Sequence, residues 1–178
     1  MTHWLNVGAG KAANPVIEGY GEIVFTRLDG NPDANPDILH DIRDPFPEDM
    51  IEKYDGVVMS HILEHISWRI VLSTLNNVVQ CVKPGGDFIL VVPCLEWACE
   101  QVLKGVNDFS VMGIFYGGQK DELDYHKTGF TKVGAVSALQ RCGLTVTSAE
   151  IGKYIAIVND VRYEPKEIRV WAKKPERL

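Results

Sequence analysis

Apolar residues gather in short strand-like runs, and these runs set out the architecture. Trp4–Val7, Ile23–Leu28, Ile38–Leu39, Gly56–Met59, Phe88–Val92, Leu144–Ala149 and Ile168–Ala172 each have the length and apolar content of a strand. Between several of them the spacing becomes helical. From about Leu63 to Val82 the residues Ile66, Ile70, Leu72 (or Val71), Leu75, Val78 and Val79 recur at helical intervals, and Lys83-Pro84-Gly85-Gly86 stops the pattern. A second helix is expected from Lys132 to Arg141, with Thr131 as N-cap and Gly143 as terminator.

Strands alternating with helices predict a largely parallel sheet. After Leu144 no amphipathic segment of helix length intervenes before Trp171. The last two long runs therefore read as an antiparallel hairpin closing the sheet edge, with Ile155 to Val158 lengthening it or adding a small strand. Asn31 to Pro36 must be a turn, which leaves almost no helix after the second strand. Glu96 to Gly129 is long and mixed, with Gly117-Gly118 in its middle, and reads as a partly helical insert or a functional lid.

At 178 residues, one α/β domain spanning 1–178 is expected, with the insert or lid at about 96–129. The net charge of −6 and the lack of a dense Lys/Arg cluster argue against a footprint for a nucleic-acid backbone. No apolar run approaches a membrane-spanning length, and the N-terminus enters a strand without a basic leader. A cytoplasmic protein is the expectation. The four cysteines, Cys81, Cys94, Cys99 and Cys142, form no C-x-x-C pair, so reduced thiols are expected and no metal ligands are assigned. Cys94, just after the fifth strand, reads as a buried structural thiol or a pocket-lining one.

Candidate chemistry lies where strands end. The first run meets a glycine turn, Gly8-Ala9-Gly10, which brings bare backbone close to a ligand. The second run ends on Asp29, about 20 residues on, where a carboxylate suits a pair of ribose hydroxyls. That pairing indicates a nucleoside cofactor. Asp41 follows the third run, and Ser60-His61 the fourth.

In this order and spacing, LNVGAGKAA (Leu5–Ala13), RLDGNP (Arg27–Pro32), LHDIRDPFPE (Leu39–Glu48), YDGVVMSHILEHI (Tyr54–Ile66) and CVKPGGDFILVVP (Cys81–Pro93) resemble a class I S-adenosylmethionine-dependent methyltransferase. The resemblance covers nearly the whole chain. It implies a doubly wound, mostly parallel seven-stranded sheet ending in an antiparallel hairpin. It also implies S-adenosyl-L-methionine as cofactor, held by Asn6, Gly8, Ala9, Gly10, Asp29, Gly30, Asp41, Ile42, Ser60 and His61. Asp41 would accept from the adenine amino group, and Ser60 and His61 would line the site beneath the sulfonium. Two departures bear on affinity: Asn6 stands where an acid is often found, and Pro15 and Gly19 break the short segment between Gly10 and Ile23.

On the acceptor side, His65, Tyr125 and His126 are the candidate catalytic residues, since a histidine can take a proton near neutral pH. Trp97, Phe109, Phe115, Tyr116 and Tyr125 are candidates for a lid, about half of them forming the insert's own small core. A small-molecule, sugar-type or protein-borne acceptor is favoured over naked nucleic acid. Other readings compete. His61-x-x-Glu64-His65 matches an inverted zinc-peptidase motif, which needs its first histidine well inside a long helix. Glu64 also suits a simple helix cap. The glycine turn and Asp29 suit NAD as well, although the chain has no room for a second mononucleotide half and a substrate domain. The last reading is a cofactor-binding module without chemistry, because methyl transfer asks little of the protein beyond alignment.

Overall fold

The computed structural model describes residues 1–158 and 160–177. Strands β1 (Thr2–Val7), β2 (Ile23–Asp29), β3 (Ile38–Leu39), β4 (Tyr54–Ser60) and β5 (Val82–Pro93) are mutually parallel. The chain runs outward through β2 and β3, then crosses back to place β4 and β5 on the other side of β1. Two later strands, β6 (Thr145–Lys153) and β9 (Lys166–Lys173), complete a seven-stranded sheet in the order β3-β2-β1-β4-β5-β9-β6. β9 is antiparallel to both neighbours. Between them β7 (Ala156–Val158) and β8 (Val161–Tyr163) form a separate hairpin. This is the doubly wound, mostly parallel sheet with the antiparallel closure expected from the apolar runs.

Helices α1 (Val71–Gln80) and α4 (Lys132–Arg141) pack on one face. In α1, Val71, Leu75, Val78 and Val79 are buried at i, i+4, i+7 and i+8, the stripe a core-facing helix requires. Each contributes about 1.5–3 kcal/mol by leaving water. Helix α4 has the expected cap: Thr131 Oγ1 accepts from Gly134 N at 3.0 Å.

The helical pattern expected from Leu63 starts later than the periodicity suggests. Leu63–His65 is a single 3-10 turn, and Ile66 continues extended. The carbonyls needed to carry a helix through this stretch are spent elsewhere. Glu64 O accepts from the backbone amides of Lys127 (2.7 Å) and Thr128 (3.0 Å), and Ile66 O accepts from Thr128 Oγ1 (2.6 Å). Lys83-Pro84-Gly85-Gly86 follows the helix as expected, but it forms the irregular start of β5, where the register against β4 shifts.

On the opposite face Trp4, Val58 and Ile89 are buried with Ile17, Phe25 and Trp171 around them. No helix joins β1 to β2. Residues 11–22 cross this face as coil, and Tyr20 meets Trp4 edge-on at 4.9 Å. The 96–129 insert holds α2 (Leu95–Leu103) and α3 (Phe109–Tyr116), packed around Ala98, Val111 and Ile114.

Candidate functional site

The carboxyl ends of β1, β2 and β4 lie along one edge, since Val7 stands level with Leu28 and with Met59. Ligands bind at that edge in open α/β sheets. A cleft of about 210 Å³ opens there, lined by Gly8, Leu28, Asp29, Gly30, Asn31, His40, Asp41, Ile42, Arg43, Ile62, His65, Ile66, Leu123 and Lys127. Asp29 is held in place by two backbone amides: Gly10 N donates to Oδ2 and Asn31 N to Oδ1, each at 2.8 Å. Each carboxylate oxygen keeps a further lone pair. Arg27 Nη2 donates to Gly10 O at 2.6 Å and pins the glycine turn. At Gly10 a Cβ would meet nothing within 4 Å, so the backbone there is open, although Gly10 itself lies outside the cleft lining.

Of the expected cofactor residues, Gly8, Asp29, Gly30, Asp41 and Ile42 line this cleft. Asp41 is already engaged: Arg43 Nε donates to Oδ1 at 2.9 Å, and Arg43 Nη2 also pairs with it. The hydrogen bonds from the guanidinium hold the Asp41 carboxyl below the usual carboxylate range. Asn6 is buried and donates to Asn14 Oδ1 at 3.0 Å, bracing the coil beyond the turn instead of lining the cleft. Ala9 is buried among neighbours, and Ser60 ends β4 without entering the lining.

His61 is placed differently from the expectation. It faces a second cavity of about 720 Å³, lined among others by Glu64, His65, Pro93, Phe109, Tyr116, His126 and Tyr154. Its backbone sits at φ +55, a left-handed conformation uncommon outside glycine. Nε2 meets Glu167 Oε2 at 2.8 Å, and Nδ1 stands 3.5 Å from Glu64 Oε1. Burial pulls the ring's pKa down, but the bond from Glu167 and the facing Glu64 outweigh it and lift it to about 9. Glu167 in turn accepts from Arg169 Nε at 2.6 Å. Burial raises the Glu167 carboxyl and these two cations lower it further, leaving it below its ordinary value.

His65 lines both cavities and is the wall between them. Its Nδ1 is 3.2 Å from Tyr125 O, and its ring meets that of His126 edge-on at 4.9 Å. His126 is held by Nδ1, which donates to Ile114 O at 2.9 Å; burial pushes its pKa below the ordinary histidine value. Tyr125 stands apart from them. Its side chain is 41% exposed and lines neither cavity; it contributes its carbonyl to His65. Of the insert aromatics, Phe109 and Tyr116 line the larger cavity, while Trp97 and Phe115 pack in the small core. Cys94 is fully buried in the main core.

Three further polar residues belong to this region: Glu64, which the sequence offers only in the peptidase motif or as a cap, and Glu167 and Tyr154. Glu64 is 1% exposed, neither of its oxygens has a hydrogen-bond partner, and it is no helix cap. The H-x-x-E-H motif drew attention to it for a different reason, but His61 and His65 flank a 3-10 turn, not a helix, and His61 is committed to Glu167. Glu167 and Tyr154 carry no local signal at all; tertiary structure alone brings them to the cavity.

No family model and no curated protein matches the chain. Solved structures do. A S-adenosylmethionine-dependent methyltransferase from Methanosarcina mazei superposes with a TM-score of 0.66 at 15% identity, over 99% of this chain and 93% of the other. The N-methyltransferase NodS from Bradyrhizobium japonicum, in complex with S-adenosyl-L-homocysteine, gives 0.61 at 15% identity over 98% and 79%. The Burkholderia thailandensis 1,6-didemethyltoxoflavin-N1-methyltransferase, with 1,6-didemethyltoxoflavin and S-adenosylhomocysteine bound, gives 0.58 at 12% identity over 98% and 72%. The fold is that of class I S-adenosylmethionine-dependent methyltransferases.

Proposed function

We propose that the protein transfers a methyl group from S-adenosylmethionine to a small-molecule or sugar-type acceptor. The observation that carries this reading is the meeting of two cavities at His65, at the strand edge where open α/β sheets bind ligands. The smaller cleft holds the glycine turn and Asp29; the larger holds the titratable groups. The residues fit the cofactor: Asp29 has lone pairs free for a ribose diol, and the backbone at Gly10 is open. The toxoflavin and NodS methyltransferases support the reading as small-molecule or N-methylating enzymes of the same fold.

The cofactor, when bound, supplies an already activated methyl group, so the chain's work is alignment and proton management. Gly8, Asp29, Gly30, Asp41 and Ile42 orient it, with Gly10 leaving room. His65 stands where the methyl passes from one cavity to the other. Glu64, His65 and His126 stand on the acceptor side, in a cavity lined by Phe109 and Tyr116.

Calorimetric titration with S-adenosylmethionine, S-adenosylhomocysteine and NAD tests this. Binding of both adenosyl ligands without NAD supports the reading, and Asp29→Ala should then weaken it tenfold or more. Preference for NAD would favour an oxidoreductase. Adenosyl binding with no methyl transfer to any acceptor in a broad screen would point to a module without chemistry.

A further inference from the structure

The larger cavity contains a group whose state in the folded chain calls for a partner. Both oxygens of Glu64 are shut off from solvent and accept no hydrogen bond. Burying a carboxylate in that condition is expensive unless a cation or donor reaches it, and the nearby His61 ring stops 3.5 Å from Oε1. A ligand atom from each of Glu64, His65 and His126 lies within 4.8 Å of the other two.

The tautomers sharpen the point. A carbonyl oxygen only accepts, so His126 Nδ1, 2.9 Å from Ile114 O, carries the ring proton. His65 Nδ1, 3.2 Å from Tyr125 O, does the same. In the neutral rings Nε2 is then a bare lone pair. That of His126 faces Glu64 Oε1 at 4.0 Å, a lone pair against a carboxylate oxygen. Metal-ligating histidines ordinarily donate their other N–H to a carbonyl or carboxylate, which fixes the ring. Both histidines here are fixed in that way.

The backbone is rigid around the cluster. Lys127 N and Thr128 N bind Glu64 O, and His126 N donates to Tyr116 O at 3.2 Å. At Gly117 (φ +78) an added Cβ would strike the Asp124 carbonyl, so glycine is needed for the close approach of the segment that carries His126.

We propose that Glu64, His65 and His126 form a two-histidine, one-carboxylate site for a divalent first-row transition ion such as zinc, with its open positions toward the acceptor cavity. Two imidazoles and a carboxylate suit zinc and its neighbours better than calcium or magnesium. Bonds of about 2.0–2.2 Å would set the ligand atoms roughly 3.4 Å apart, against separations of up to 4.8 Å in the unliganded cluster. An acceptor hydroxyl or amine bound in an open position would be acidified next to His65, where the methyl group arrives. This role rests on the methyl-transfer reading; the site itself does not. His61 stays outside the ligand set, bound to Glu167, and its ring 3.5 Å from Glu64 is the competing means of balancing the buried carboxylate.

The test is calorimetry of the chelator-treated full chain with zinc alone, and visible absorption with cobalt(II). One equivalent should bind with a Kd in the micromolar range or tighter, with cobalt giving the ligand-field bands of a nitrogen- and oxygen-bound ion. Glu64→Gln and His126→Ala should each lose at least tenfold in affinity, while His3→Ala, at a half-buried histidine that lines neither cavity, should keep it. Absence of binding, or binding undiminished in both variants, overturns the site and leaves the His61–Glu64 ion pair as the account of the buried carboxylate. If a variant does not fold, the cobalt spectrum of the unaltered chain still decides, because a featureless spectrum overturns the site. S-adenosylhomocysteine titrated into metal-free protein separates the two readings: its binding without zinc binding defeats only the metal site, and the reverse defeats only the methyltransferase.

Discussion

His61 Nε2 lies 2.8 Å from Glu167 Oε2, a contact between residues 106 positions apart that ties the end of β4 to the start of β9. The folded ring's pKa, about 9, stands above its ordinary 6.5. The pair therefore contributes its full stability below about pH 6.5 and loses it as pH rises through about 9. Because His61 is about a third exposed, the hydrogen-bonded pair is worth about 1–2 kcal/mol after screening. Melting temperatures should fall on the alkaline side, and Glu167→Gln should flatten that fall while shifting the His61 ring titration down. An unchanged ring titration in the variant would show that Glu167 does not set it.

A second coupling acts at the opposite pH limit. Asp55 accepts from His3 N at 2.8 Å and from Lys83 Nζ at 2.6 Å, joining the first residues of β1, β4 and β5. The backbone bond first, then the lysine, holds its carboxyl below 3.8. Its stabilisation is present above that ordinary value and is lost as pH falls through the lowered one. The side chain is 36% exposed, so about 1 kcal/mol or less is at stake. Asp55→Asn should lower Tm by a few degrees at neutral pH and shrink the acid-side loss. Equal acid sensitivity in both proteins would remove Asp55 from the account.

The strands were legible because parallel strands buried on both faces read as largely apolar runs; six of the seven runs lie within sheet strands, and the seventh, Leu144–Ala149, begins one residue before β6. Thr131 and Gly143 bounded α4 because caps are local chemistry. What could not be read was decided at a distance. The start of α1 depends on where the carbonyls of Glu64 and Ile66 go, and they go to a segment some 60 residues away. Tyr125 looked catalytic beside His126, but adjacent residues on an extended segment point apart, and only His126 turns inward. Asp29 and the glycine turn were visible because their geometry follows from one strand-turn unit and the next strand.

The thiols should separate sharply. Cys99 is exposed on α2, whereas Cys81 is buried and its pKa is pushed up to about 12 by that burial. Since the thiolate is the reactive form, Cys81 has neither access nor ionisation in the folded state. Native protein treated briefly with a maleimide at neutral pH should carry its label first on Cys99 by mass spectrometry. Cys81 should react only at the rate of global unfolding, rising with denaturant. Labelling of Cys81 as fast as Cys99 in native buffer would contradict its place in the core.

Gly117 offers a way to disturb the acceptor side alone. It lies at φ +78, bridges to Tyr125, and leaves no room for a Cβ beside the Asp124 carbonyl. Gly117→Ala must either strain the left-handed backbone or push residues 124–126 outward. A cost of about 2 kcal/mol is expected, which lowers Tm by roughly 4–8 °C in a chain of this size. His126 would move with the segment, while Gly8, Gly10 and Asp29 lie across the wall formed by His65. S-adenosylhomocysteine affinity should thus stay within about twofold of the parent, and zinc affinity should drop. A matching loss of both would mean the two cavities are mechanically one.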